Sequence, residues 1–437
     1  MKKFTFKTMA ACVMMVASLA FFRCSKNNST TVTVPTLTTG AVTVTPGVAF
    51  AAMSGGSITS AGNGTLTAYG VCYSSTNQMP DLTCSTTIDG NTGTGAVNYY
   101  STMTNLSPGT VYYVRAYATN SAGTAYGNLI QFTTSAYSWS SVFFTGNYNS
   151  ISIKALSGIC FSDDTHGFAS GVDINNHLVL LTSGDGGNTW QANVAQSQNG
   201  AITLANNAAY LPSKNNSICF TSSSNGWIAY GGDSVFVTAN GTGAGVLQPY
   251  PNNSAITAGE GLNSLYFTSS TTGFVAGLGI YKNTNGLWAN VGPIGVYFNS
   301  VYFTAQGVGI ASTNTSIYRS TDGGNTWALT GTTQAPVYGF NYVNGVLYAA
   351  GSQSLLVSND QGATWTSIST GISGNLYNIC FINPNFGIAA TQSGLYQVTN
   401  GGATWTVVSN TSGIAYNTVC RTSSHIFAIS GASILKY

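Results

Sequence analysis

Charge is what this chain lacks. Of its 437 residues, 12 are Lys or Arg and 10 are Asp or Glu, 5% in all, against about 25% in average soluble proteins. Its surface must therefore be wetted by Ser, Thr, Asn, Gly and Tyr. Disorder is excluded all the same, because 12% aromatic and 43% hydrophobic residues supply a core. Histidine is scarcer still. His166, His177 and His425 stand in separate contexts without metal-ligand spacing, so turn or strand-end roles are expected, with no metal or cofactor. Phosphate loops, nucleophile elbows and zinc motifs do not occur. Glycine is abundant, with 52 residues. That suits an extracytoplasmic all-β chain of many turns.

The first residues read MKKFTFKTMAACVMMVASLAFFRCSKNN. Lys2, Lys3 and Lys7 form a basic start, and Met9 to Phe22 an apolar stretch too short to span a bilayer unaided. The stretch ends at Cys24 and a polar run follows. This resembles a bacterial lipoprotein signal, with residues 1–23 removed, Cys24 lipidated and 24–34 a linker. Arg23 departs from the small residue usual there, and the SLA at Ser18–Ala20 offers ordinary secretion as the alternative. Removal of Lys2, Lys3, Lys7 and Arg23 leaves eight basic residues against ten acidic ones. A nearly neutral chain with no basic patch argues against nucleic-acid binding. The membrane is expected to be met through the lipid alone.

Residues 35–134 alternate with period two between Gly, Pro and Asn clusters, which predicts short strands. The stretch LSPGTVYYVRAYATNSAGTAYG, Leu106–Gly127, resembles the second half of a fibronectin type III domain. Leu106, Pro108, Thr110 and Tyr112 match that family's tyrosine corner. The upstream YGVCYSS, Tyr69–Ser75, resembles versions found in surface proteins of Bacteroidetes, where such modules are usually spacers. Cys72 and Cys84 lie within this domain, as a local disulfide or as two buried thiols.

From residue 137 a repeat takes over. Small aliphatic–x–aromatic triplets begin at Ile159, Ile218, Leu265, Val301, Phe340, Ile379 and Val419. A period near 40 with about four strands per unit predicts a propeller of seven blades. Between third and fourth strands stands S-x-D-x-G-x-T-W. The intact copies are Ser183, Asp185, Gly187, Trp190; Ser320, Asp322, Gly324, Trp327; and Ser358, Asp360, Gly362, Trp365. These residues are identified as Asp-box (BNR) repeats, similar to those of photosystem II assembly factors and sortilins. The carboxylate is expected to accept N–H groups of its own turn, with the tryptophan packed beneath. The second blade lacks the box and the third has a shortened NTNGLW. The last unit stops after its third strand, ASILKY, while Tyr137–Gly146 resembles a fourth strand with Trp139 in the tryptophan position. The two chain ends are therefore expected to close the ring.

Asp-box propellers include sialidases, which grip a carboxylated sugar with three arginines. This propeller has only Arg319 and Arg421, so no such cluster can form. Its carboxylates are Asp163, Asp164, Asp173, Asp185, Asp233, Asp322, Asp360 and Glu260. Cys160, Cys219, Cys380 and Cys420 share one position in four blades and are expected to be small buried thiols. Two links exceed the common period, Gln196–Ser217 and Gln248–Asn263, and parity puts both on the face opposite the boxes. Long loops on a rigid scaffold favour binding, which makes Asp173, Tyr210, Lys214, Tyr250 and Glu260 the candidate ligand-binding residues. The expected function is a monomeric, non-enzymatic envelope protein that binds a protein or glycan. The alternative is a glycan-processing hydrolase other than a sialidase.

Overall fold

The computed structural model describes residues 31–437 except 46–49, 137, 144–146, 149–150, 199, 203–216, 231–233, 250–261 and 334. The signal segment, Cys24, Tyr210, Lys214, Tyr250, Asp233 and Glu260 lie outside the described residues. Among those described, every regular element is a strand. No helix there is long and apolar enough to cross a membrane.

Two antiparallel sheets make up the N-terminal part. One holds Thr36–Thr39, Ala52–Ser60 and Val97–Met103 in that order. The other runs Ser85–Thr86, Ala68–Ser74, Val111–Asn120, Gly123–Tyr126, and Ile130–Thr133 also pairs with Val111–Asn120. Tyr112, Val114 and Ala116 alternate inward, as a strand with one buried face requires. They join Val71, Met103, Leu106 and Ile58 in the space between the sheets. The Tyr112 hydroxyl accepts the Ser107 N–H at 2.9 Å and so ties down the crossing loop. Cys72 and Cys84 form no bridge; both are free thiols. The buried Cys72 thiol donates to Pro80 O at 3.3 Å, while Cys84 accepts from the Asn77 amide. Burial pushes the Cys72 thiol up to about 11.

Antiparallel sheets of one plan follow. The first carries Asn147–Tyr148, Ile151–Phe161, Gly167–Asp173, Leu178–Ser183 and Gln191–Val194. Four-stranded sheets then begin at Ile218–Phe220, Ser264–Phe267, Ser300–Phe303, Val337–Val343 and Leu376–Asn383. The last has Thr418–Arg421, Ile426–Ser430 and Ser433–Lys436. Its fourth strand is Ser140–Phe143, with Leu435 opposite Ser141. Inner strands touch in succession, Ile151–Phe161 against Ile218–Phe220 and so on, until Thr418–Arg421 meets Ile151–Phe161 and the ring closes. Closure leaves no sheet without neighbours on both faces.

Aromatic residues set the packing between sheets. The third residue of the inner-strand triplet stacks on the second strand of the preceding sheet. Phe220 lies on Phe168 at 3.6 Å, Phe267 on Trp227 at 3.8 Å, Phe303 on Phe274 at 4.2 Å, Phe381 on Tyr348 at 3.7 Å and Phe161 on Phe427 at 4.5 Å. Each such ring contributes roughly 1.5–3 kcal/mol by burial. Where the second strand offers Ile310 or Ile388 instead, the third triplet residue of the next inner strand is Tyr342 or Arg421.

Inner edges of these strands face the channel, so their backbone groups need side-chain partners. At four triplets the middle residue supplies one, each time to the following sheet. Cys160 hydrogen-bonds the Phe220 backbone, and Cys219 donates to Phe267 O. Tyr302 accepts the Tyr342 N–H at 3.2 Å, and Asn341 accepts that of Phe381 at 2.9 Å. Cys160, Cys219, Cys380 and Cys420 are free thiols, and burial raises each of them.

The two parts are docked. Phe50, fully buried, stacks on Tyr437 at 5.1 Å and packs against Phe386 at 6.0 Å. Asn105, held at φ +56°, receives the Asn383 amide on its backbone oxygen at 2.8 Å and the Arg421 guanidinium on its side-chain oxygen at 3.1 Å.

Candidate functional site

Each S-x-D-x-G-x-T-W turn, or box, is a closed hydrogen-bonding unit. Asp185 accepts the N–H groups of Asn188 and Thr189 at 3.0 and 2.9 Å and the hydroxyls of Ser183 and Thr189 at 2.9 and 2.7 Å. Asp322 repeats this with Asn325, Thr326 and Ser320, and Asp360 with Thr364 and Ser358. Desolvation opposes the effect at Asp185, yet together the bonds from Thr189, Ser183 and Asn188 outweigh it and hold the carboxyl at about 2. Thr364 and Ser358 hold Asp360 at about 2 as well. Asp322 lies well below its ordinary value, first through Thr326. Gly187, Gly324 and Gly362 adopt φ of +76°, +79° and +82°. A Cβ there would lie 2.4 Å from Phe427, 2.3 Å from Phe274 and 2.5 Å from Ile310, each on the preceding sheet. The tryptophan meets its own sheet edge-on, as Trp190 does Phe161 at 6.0 Å and Trp327 does Phe303 at 5.9 Å.

The second sheet, which lacks the motif in sequence, keeps part of its bonding. Asn240 takes the place of the aspartate, accepting the Thr242 N–H at 3.0 Å and the Thr238 hydroxyl at 2.8 Å. Asn400 does the same for the Thr404 N–H in the sixth.

Basic residues answer the boxes. Lys282 donates to Gly323 O and the Asn325 side chain, Arg319 to Gln361 O, and Lys436 to Gly186 O and the Asn188 side chain. Each reaches from the third strand of one sheet to the box of the next. Sequence reasoning missed this set, although its signal is local: a Lys or Arg one residue before the box-serine position.

The remaining described carboxylates of this part are engaged as well. Asp163 accepts the N–H groups of Thr165 and His166, both at 2.8 Å, and pairs with the His166 ring. Asp164 accepts the Ser423 N–H at 2.7 Å and so links the first sheet to the last. Asp173, the one candidate ligand residue that is described, is 4% exposed. It accepts the N–H groups of Asn175 and His177 at 2.8 Å and faces the His177 ring at 2.9 Å. It therefore shapes the loop between second and third strands. No group of three or more His, Cys, Asp or Glu among the described residues could hold a metal.

The turn between first and second strands shares a face with the box. The Gly186 N–H donates to Thr165 O, that of Gly241 to Ser224 O and that of Gly401 to Asn385 O. The N-terminal sandwich docks on this face, through Asn383 and Arg421. The junction holds a cleft of about 760 Å³. From the sandwich it is lined by the Tyr73–Asn77 and Thr83–Thr86 segments, and from the ring by Asn344 and the Asn383–Asn385 turn. None of its lining residues is charged. A smaller cleft of about 380 Å³ beside it contains Asp163, Asp164 and Arg421, already engaged as described.

No protein-family model matches the chain, and no curated protein does. Among solved structures it is similar to YCF48 bound to D1 peptide, with a TM-score of 0.53 and 16% identity over 69% of this chain and 97% of that one. It is similar also to the extracellular domain of a hybrid two-component system from B. thetaiotaomicron, with a TM-score of 0.50 and 9% identity over 68% of this chain and 39% of that one. At such identities the likeness is one of fold, and the fold it shows is the β-propeller.

Proposed function

We propose that the chain is a non-enzymatic binding protein of the cell envelope. In this reading it is a monomeric, seven-bladed Asp-box propeller with a fibronectin type III-like domain docked on the box face. The lipid on Cys24 holds it to the membrane, outside the cytoplasm. One observation carries the functional part. Asp163, Asp164, Asp173, Asp185, Asp322 and Asp360 all accept hydrogen bonds within turns or between sheets. A glycosidase needs two carboxylates flanking a bond in a cleft, and these six serve the fold instead. The inner-strand ring supports seven blades, and the strand order with the Tyr112 corner supports the fibronectin-like reading. The apolar segment before Cys24 and the sparse charge support the location. YCF48 is by its name bound to a peptide, which supports a binding role for the fold. The test is crosslinking of the full chain in its native envelope, beside incubation with a panel of polysaccharides. Crosslinks that map to the propeller's box face, with every polysaccharide left intact, are expected. New reducing ends overturn the reading.

A further inference from the structure

We infer that the junction cleft is a binding site for a neutral oligosaccharide. The inference rests on the reading of the chain as a binding protein and names its ligand class. The cleft's volume of about 760 Å³ falls in the range of small-ligand sites, roughly 300–1,000 Å³. Its walls present hydroxyls and carboxamides, including Ser75, Thr86, Asn344 and Asn385, all exposed. Tyr73, half-buried, adds the edge of one aromatic ring, while Tyr112 beneath it belongs to the sandwich core.

That lining selects by exclusion. An anionic or cationic ligand would be desolvated there without a counter-charge. An apolar ligand would leave the amides and hydroxyls unpaired. Peptides are commonly held by an open sheet edge or an apolar or aromatic groove, and this wall offers mainly short polar side chains. A polyhydroxylated neutral ring matches it, pairing its hydroxyls with the exposed Asn and Ser/Thr groups. Both walls are preset. Asn105 holds Asn383 and Arg421, and Phe50 is locked between Phe386 and Tyr437. Little ordering is left to oppose binding.

The experiment places the full chain on an array of neutral, sialylated and sulfated oligosaccharides. Asn385→Ala and Ser85→Trp are run beside it, the first deleting an amide and the second filling the cleft. Both positions are exposed, and melting curves verify the fold of each variant. Retention of neutral glycans, weakened at least tenfold by either substitution at unchanged melting temperature, is expected. An array blank for neutral glycans, or binding that Ser85→Trp leaves untouched, overturns the inference. A photocrosslinker at position 85 separates the two readings. Capture of a protein beside a blank array discards the glycan and keeps the binding role, whereas shortened glycans discard the binding role itself.

Discussion

The ammonium of Lys436 lies 2.9 Å from the carbonyl oxygen of Gly186, 250 positions earlier in the chain. It joins the end of the last sheet to the box of the first. Lys282 and Arg319 make the same kind of contact with the boxes of Asp322 and Asp360. At the equivalent position Thr182, Val237 and Val357 precede sheets whose turns carry no aspartate, and Gln397 precedes the sheet whose chain ends there. Cation and box aspartate thus go together from one sheet to the next. Replacing Lys436 with Ala removes two donors to acceptors held rigidly at the seam, at a cost of about 1–2 kcal/mol. Lys282→Ala is expected to cost a similar amount, and the two effects should add, because the sites are remote. Thermal unfolding of the single and double variants checks both statements.

Deleting Ser433–Tyr437 removes the strand that pairs with Ser140–Phe143, together with Tyr437 from beneath Phe50. A large fall in melting temperature and loss of cooperativity are expected. An unchanged curve would mean that the ends do not close the ring.

Gly323 and Gly324 are neighbours with similar backbones, φ +69° and +79°. A Cβ on Gly323 meets nothing within 4 Å, whereas one on Gly324 meets Phe274 at 2.3 Å. Gly323→Ala should cost only the left-handed strain, about 1 kcal/mol. Gly324→Ala should cost a further 1–3 kcal/mol for overpacking. Chemical denaturation of the pair measures the difference. Equal losses would show that the close approach to Phe274 is unimportant.

Much of this was readable from residues alone. The Asp322–Trp327 turn announced itself, because a carboxylate, glycine and tryptophan at fixed spacing have one local solution. The missing strand after Ser433–Lys436 was equally plain, since the resemblance of Trp139 to the box tryptophans named its replacement. Tyr112 likewise revealed its corner. Docking was not readable. Phe50 lies outside any strand and Asn105 in a turn, and only the tertiary arrangement brings them to Phe386 and Arg421. The partners of Asp173 were not readable for a related reason. A carboxylate in a loop suggests a ligand, and only the folded turn brings Asn175 and His177 close enough to engage it. Tyr210, Lys214, Tyr250 and Glu260 lie outside the described residues.

Acid should act in two steps. Burial, then Lys436, hold His425 down to about 4 against the pull of Asp164. An unfolded histidine protonates near 6.5, so the folded chain binds fewer protons between these values. The stability associated with neutral His425 is full above about pH 6.5 and is lost as pH falls toward 4. Asp185 and Asp360, both held at about 2, contribute stability that is full above about pH 4 and lost as pH falls through 2. Melting temperature against pH should therefore show two limbs. His425→Asn should flatten the upper limb and leave the lower one.

The described carboxylates of the propeller serve its fold, and in the function proposed the protein binds without cutting. Mass spectrometry of neutral polysaccharides and of a sialylated reporter, after prolonged incubation with the full chain, tests this most directly. The account predicts substrates of unchanged length and no free sialic acid. Shortened chains or released sialic acid, abolished by Asp163→Asn or Asp173→Asn at unchanged melting temperature, would contradict it.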